Sequence, residues 1–290
     1  MRRSCLALLI ALSVVAACVP PETDPIRRFP VDTALGELQE TGTMRIAVDT
    51  NWRPFGDEDA NGPRGSAVDL GRFVAGEMGM EAQLIAASSP DEVAGLVNGG
   101  EADLGFAAFE LTEESVRNNS LTDPFFIAHQ RLAVPAGSDI EAVDDLEGKR
   151  VCEVVHEITG VSVSELIEPV DVSEENDVGA CVMEVRRGTV DAVSAPDGLL
   201  LPWLEADGAD PNLELTGDEA TTVGWAAIAS PELSGIVGHF NDSLAEAKSD
   251  GDWTRWYARW VEPLTGESEP EPPQLSLEEA AALFPSSLTD

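Results

Sequence analysis

Between Met44 and Ala108 three short apolar runs alternate with two amphipathic stretches, and that alternation leaves the chain few folds. Residues 44–48 (MRIAV), 81–86 and 102–108 read as strands. Residues 67–78, with Val68, Leu70, Phe73, Val74 and Met78 as apolar positions, read as a helix, and Ser89-Pro90 opens a second one. That second helix stops at Asn98-Gly99-Gly100. Strands that alternate with helices predict an α/β fold with a largely parallel sheet.

The stretch 100–126, GEADLGFAAFELTEESVRNNSLTDPFF, carries the functional signal. Its strand is apolar and the turn after it is polar, with a helix start at Thr112-Glu113-Glu114. Polar residues at a strand's carboxyl end beside a helix N-terminus are where open α/β sheets bind small ligands. The stretch is therefore expected to form one wall of a ligand cleft.

The rest of the chain builds around that wall. A short helix over 32–40 takes Asp32 or Thr33 as its N-cap, and 57–65 is a polar hairpin loop. A strand at 131–135 leaves the first unit. Residues 146–152 turn into a new strand, followed by helices over 161–167 and 179–187 (ending at Gly188), a strand at 190–193, and a helix over 199–206 with Trp203 in its core. These form a second, smaller α/β unit. The apolar run 223–230 returns the chain to the first unit, and 231–247 and 253–261 are closing helices. Trp253, Trp256 and Trp260 share one helix face, the pattern of a core-packing stripe. From Glu262 onward the chain is rich in proline and glutamate, with a small helix begun by a Ser276/Glu279 capping box that packs on the surface or frays.

Arg2 and Arg3, an apolar run over 6–15 and small residues before Cys18 make 1–17 a secretory signal peptide. Val15-Ala16-Ala17-Cys18 resembles a lipobox, in which Cys18 is lipidated; the alternative is an ordinary cleavage site with a chance cysteine. Residues 18–42, proline-rich at their start, form a tether to the membrane. The formal net charge is −37, more negative by two without Arg2 and Arg3, and the only lysines are Lys149 and Lys248. Such a surface repels nucleic acid and anionic lipid. With Cys5 and Cys18 set aside, Cys152 and Cys181 remain, as one disulfide or as two buried thiols. A bridge would close a loop of about 30 residues and stabilise by about 3 kcal/mol. The three histidines are scattered and there is no CxxC, so neither a metal nor a cofactor is expected.

Five motifs, TMRIAVDTNWRPF, GGEADLGFAAFELTEES, SLTDPFF, DDLEGKRVCEV and KSDGDWTRWYARWV, occur in an order that resembles bacterial extracellular solute-binding proteins of family 3, the amino-acid receptors of ABC importers. Cys152 and Cys181 are further similar in position to a disulfide of actinobacterial glutamate-binding lipoproteins. The resemblance implies a type II, two-lobed periplasmic-binding-protein-like fold. Lobe one would be 43–131 plus 224–262, lobe two 134–221, with hinge strands near Leu132-Ala133 and Val223-Gly224 and an extension over 263–290. It also implies a monomer without catalytic residues, a small-molecule ligand, an ABC permease as partner, and a place on the extracytoplasmic face of the membrane.

Carried over position by position, Asp49 faces the ligand's ammonium, Trp52 covers the ligand and Phe55 supports the wall from behind. Ala107, Ala108 and Glu110 stand where the family has small or hydroxylated groups, and Ser115 stands where it has an arginine that clamps the ligand's carboxylate. Arg53, Arg117 and Arg131 are substitutes for that cation without a motif. Thr159 takes the place of a backbone-binding helix start, and Asp197 that of a second amine-binding acid. Acids are kept or added while anion-binding groups are lost. The ligand is thus expected to be a cationic or amine-bearing solute, or to have its carboxylate held in another way. Two other readings are an accessory or sensor lipoprotein with a degenerate site, and a periplasmic dehydratase using Glu110 or Glu157 as general acid.

Overall fold

The computed structural model describes residues 26–154, 162–175, 177–204, 212–216, 221–265 and 270–283. Cys18, His156, Glu157 and Thr159 lie outside them. The first part of the chain gives α1 (Ala34–Thr41), β1 (Thr43–Asp49), β2 (Asp57–Asp59), β3 (Gly62–Arg64), α2 (Ser66–Glu77), β4 (Glu81–Ala87), α3 (Pro90–Asn98), β5 (Leu104–Glu110), α4 (Glu113–Asn118) and the long β6 (Phe126–Pro135). Next come β7 (Arg150–Val154), α5 (Val163–Leu166), β8 (Asp171–Glu175), α6 (Val178–Arg187), β9 (Ala192–Pro196), α7 (Asp197–Leu204) and β10 (Leu213–Leu215). The chain then runs through β11 (Thr221–Ala229), α8 (Ile236–Ser249), α9 (Asp252–Trp260), α10 (Glu262–Thr265) and α11 (Leu277–Leu283).

Helix starts lie where short polar side chains satisfy the first free backbone N–H groups. Thr33 accepts from the Gly36 N–H, Ser89 from Glu92 and Asp177 from Ala180. Gly188 ends α6 in the left-handed conformation, a role glycine fills without strain.

One curled sheet runs through the molecule in the order β4-β1-β5-β11-β6-β9-β7-β8, with β10 beside β6. Within each lobe the outer strands are parallel, as their helical crossovers require: β4-β1-β5 on one side and β9-β7-β8 on the other. The two middle strands differ. β11 returns from the second lobe, so it runs antiparallel to both β5 and β6. β6 pairs with β11 from Phe126 to Gln130 and with β9 from Gln130 to Ala133, so one strand belongs to both lobes.

Strand alternation divides the first lobe's core in two. Leu104, Phe106 and Ala108 pack with Leu70, Val74, Phe240, Trp253 and Tyr257, which come from α2, α8 and α9. Ala107 and Phe109 face the other way, onto Val93 and Val97 of α3 and Ala280 and Ala281 of α11. The tryptophan stripe of α9 packs inward: Trp253 is buried and donates its indole N–H to the Phe125 carbonyl at 2.7 Å, while Trp256 and Trp260 are partly buried. In the second lobe Cys152 of β7 and Cys181 of α6 form a disulfide, Cα to Cα 5.4 Å, inside a core with Val185, Val193 and Leu200.

Four elements depart from expectation. β8 is an edge strand whose sequence, DVSEE, carries a single apolar residue, and β10 has three residues, so neither gives a hydrophobic period. Trp203 is 37 % exposed and lies against Gly179; Leu200 is the core residue of α7. The helix after Ser276 does not fray at the surface: its capping box forms, and Ala280 and Ala281 are buried at 1 % and 6 % exposure.

Candidate functional site

The site is built at the carboxyl ends of β1, β5 and β9. At the end of β1, Asp49 is buried and its Oδ1 accepts the Asn51 N–H at 2.9 Å. The turn beyond it is pinned by Thr50, whose N–H and hydroxyl both donate to the Ala87 carbonyl, and by Asn51, which donates to Ser88. Gly56 passes close behind: a Cβ there would lie 2.0 Å from the Asp49 carbonyl oxygen, so only glycine closes this loop. Burial pushes the Asp49 carboxyl up to about 6, against the Asn51 N–H and with the help of the Glu92 charge.

Trp52 and Phe55 follow as a stacked pair, ring centroids 4.9 Å apart. They join Phe125, Phe126 and Trp225 in an aromatic cluster in which Trp52 and Trp225 stand 5.1 Å apart, edge to face. Trp52 and Trp225 are 1 % and 0 % exposed, and neither indole N–H has a hydrogen-bond partner among the described residues. Behind Phe55, next to Ser66, Leu70, Trp253 and Tyr257, lies an apolar cavity of about 20 Å³, room for about one water and no solute.

Glu110 is the last residue of β5. It is paired with Trp225 across the ladder, so both side chains rise on the same face, and it is 1 % exposed. Ala108 shares that face, whereas Ala107 fills the core on the opposite one. Ser115 belongs to the first turn of α4. Its hydroxyl accepts the Thr112 N–H and donates to the Glu110 carbonyl at 2.7 Å, and its own N–H donates to Thr112 Oγ1. The capping box fixes the backbone of Glu110.

In the second lobe Asp197 stands at the junction of β9 and α7. Its Oδ1 accepts the N–H groups of Gly198 at 2.7 Å and of His129 at 3.2 Å. Burial raises the pKa of its carboxyl, while the His129 N–H and ring and the Arg131 charge hold it down. Gly198 closes the second lobe onto the first: a Cβ there would meet Trp225 at 2.7 Å and Phe55 at 3.3 Å.

Of the three substitute cations, Arg117 is exposed and pairs with Glu113 at 3.5 Å, and Arg53 is exposed beside Asp57. Arg131 alone stands at the site. It donates to the Thr216 carbonyl, its Nε–H has no partner among the described residues, and its charge is felt at Asp197. Sequence reasoning missed Trp225, Gly198 and His129. Trp225 sits in an ordinary apolar strand, and nothing local marks it as a partner of Trp52.

Two lobes joined by β6 and β11, with polar strand ends facing one another, define a solute-binding fold. Residues 30–263 match the bacterial extracellular solute-binding proteins, family 3, and the chain belongs to that family. It is 25 % identical over 261 residues, 87 % of this chain and 94 % of the relative, to the glutamine-binding protein GlnH of an ABC transporter of Bacillus subtilis. It is 25 % identical over 165 residues, 55 % and 56 % of the two chains, to the glutamate-binding protein GluB of Corynebacterium glutamicum. Its fold is similar to that of an ancestral arginine-binding protein bound to arginine, at a TM-score of 0.67 and 24 % identity over 76 % of this chain and 98 % of that one. No helix among the described residues is long and apolar enough to cross a membrane.

Proposed function

We propose that this chain is the extracytoplasmic receptor of an ABC importer, tethered by lipid on Cys18, and that it captures a small cationic, amine-bearing solute between its lobes. The observation that carries the reading is a pair of buried carboxylates, Asp49 and Glu110, with the partly buried Asp197, each at a strand's carboxyl end, together with a serine locked in a capping box where the family resemblance led us to expect a clamp arginine. Charge-assisted bonds to a carboxylate in a site closed from water are the strong ones. An anionic group placed against these acids would be repelled unless a cation such as Arg131 met it. Trp52 supplies an aromatic ring on the same wall, a favourable neighbour for a cation. Ala108, Thr159 and Arg131 complete the proposed site, Arg131 holding an anionic group where the solute has one, and hinge closure makes the bound form distinct for a permease.

A second reading rests on the aromatic cluster. Trp52 and Trp225 are buried against each other and Gly198 already touches Trp225, the packing expected of a receptor-like lipoprotein that kept the fold and lost its solute. One experiment separates the two. The mature domain is screened by thermal shift against basic amino acids, polyamines, other amines, glutamate, glutamine and aspartate, with calorimetry on each hit. Stabilisation by basic or amine solutes supports import of a cation. Stabilisation by glutamate or aspartate alone overturns the ligand class, and no hit at millimolar concentration favours the sensor.

A further inference from the structure

Residues 270–283 lie beyond the family match, which ends at 263, yet they are built into the first lobe at the seam where β11 meets the end of β5. Three observations define the docking. The Leu277 N–H, at the start of α11, donates to Asp123 Oδ1 at 2.8 Å. Asp123 is itself held by its N–H to Asn241 of α8 and lies near the Lys248 charge. Ala280 and Ala281 are buried, and Leu275 and Leu277 pack on the core that holds Phe109, Leu111, Leu121 and Ile228.

The third observation is Gly224 of β11. A Cβ there would stand 3.2 Å from the Ala280 Cβ, 3.1 Å from Pro124 and 3.3 Å from Leu111. The Gly224 carbonyl also accepts the Leu111 N–H at 2.9 Å. The small pair Gly224 and Ala280 thus lets α11 settle on the one point where the connecting strand is bonded to the residue that follows Glu110. That point is the end of the β11–β5 ladder, next to the Trp225–Glu110 pair.

We infer that the segment 270–283 is a latch that sets the opening and closing of the two lobes, by bracing β11 and the Glu110 wall from behind. The physical basis is that β6 and β11 are the middle strands joining the two halves of the sheet, so a helix docked on one of them in a single lobe biases the angle between the lobes. The inference concerns the free protein and does not depend on which solute binds.

The test uses the full chain without ligand. Dyes are placed on exposed strand positions by Glu81→Cys in lobe one and Glu174→Cys in lobe two, and single-molecule energy transfer reports the inter-lobe distance. Ala280→Glu puts a charge in the buried contact and expels α11, whereas Ala280→Ser keeps it seated. The expected result is an open-to-closed ratio changed by about 2- to 30-fold in Ala280→Glu and unchanged in Ala280→Ser. Hydrogen exchange at the Leu111 N–H should accelerate in parallel. A distance distribution identical in all three proteins, with only a lower Tm for Ala280→Glu, overturns the inference and leaves α11 as a cap on the core. Because α11 is peripheral, Asp123→Asn serves as the second variant: it weakens the same docking without placing a charge in the core, and a distribution it leaves unmoved while the α11 amides lose protection also overturns the latch.

Discussion

Asp49 and Asp197 occupy matching places in the two lobes, and their surroundings differ. Each stands where a buried strand ends, and each accepts backbone N–H groups from its own turn or a neighbouring strand. Burial raises Asp49 to about 6 with the help of the Glu92 charge, and no ion pair to it is found among the described residues. Asp197 is raised by burial too, but His129 and Arg131 favour its charge. The first lobe presents a carboxylate held by its own turn, just before the aromatic cluster that begins at Trp52, and the second a carboxylate reached by polar groups of β6. One placement rule, a polar residue at a strand's end, therefore gives two electrostatic sites, and the difference comes from strands far away in sequence.

The largest test of this asymmetry is in the packing. Trp225→Ala should cost about 3–5 kcal/mol in chemical denaturation, because the fully buried ring holds Trp52, Phe55 and Phe126 together. Trp203→Ala in the second lobe, where the ring is 37 % exposed, should cost less than about 1 kcal/mol. Equal losses would break the distinction between an aromatic lobe and a polar one.

The second lobe depends instead on its cross-link. Cys152→Ala together with Cys181→Ala should lower stability by about 3 kcal/mol, with the loss concentrated in the exchange protection of β7 and α6. A uniform loss across both lobes would show that they unfold as one unit.

Titration sharpens the contrast next. If Asp49 binds a cation as a carboxylate, the affinity for a basic solute should fall about tenfold per pH unit below about 6. Asp49→Asn should flatten that profile. The effect on folding has the opposite sign. The native state binds the proton more tightly than the unfolded chain, so lowering the pH from about 6 towards the ordinary carboxylate range adds stability, and raising it through about 6 removes it. Binding and stability that change together with pH would rule out Asp49 as the titrating contact.

The smallest expected effect at the candidate site is at Ser115. Ser115→Ala should cost about 1 kcal/mol through the lost cap and leave the pH profile of binding intact. A large loss of affinity without a loss of stability would instead make the serine a direct ligand contact.

Much of this was legible in the sequence. The starts of α1, α3, α4 and α11 follow from Thr33, Ser89, Thr112 and Ser276, because capping is a bond between residues three apart. The pairing of Cys152 with Cys181 followed from a count of cysteines and a family likeness. The edge strand β8 and the short β10 escaped, because a strand that buries little has no hydrophobic period to read. The site was only half legible. Asp49, Trp52, Glu110 and Asp197 were named by carrying the family resemblance onto this chain and stay proposals, and Ala107 and Ala108 looked alike but face opposite cores.

The sequence alone thus determined the alternation of strands and helices, the caps, the lobe order and the surplus of acids at the strand ends. These depend on residues within a few positions of one another or on total charge. Only the tertiary structure decided which ring meets Trp52, that Gly198 touches Trp225, that the Arg131 charge rather than that of Arg53 or Arg117 is felt at Asp197, and that the last helix sits on Gly224. Each of those contacts joins segments brought together by the sheet's strand order, and a strand's own sequence does not specify its neighbour.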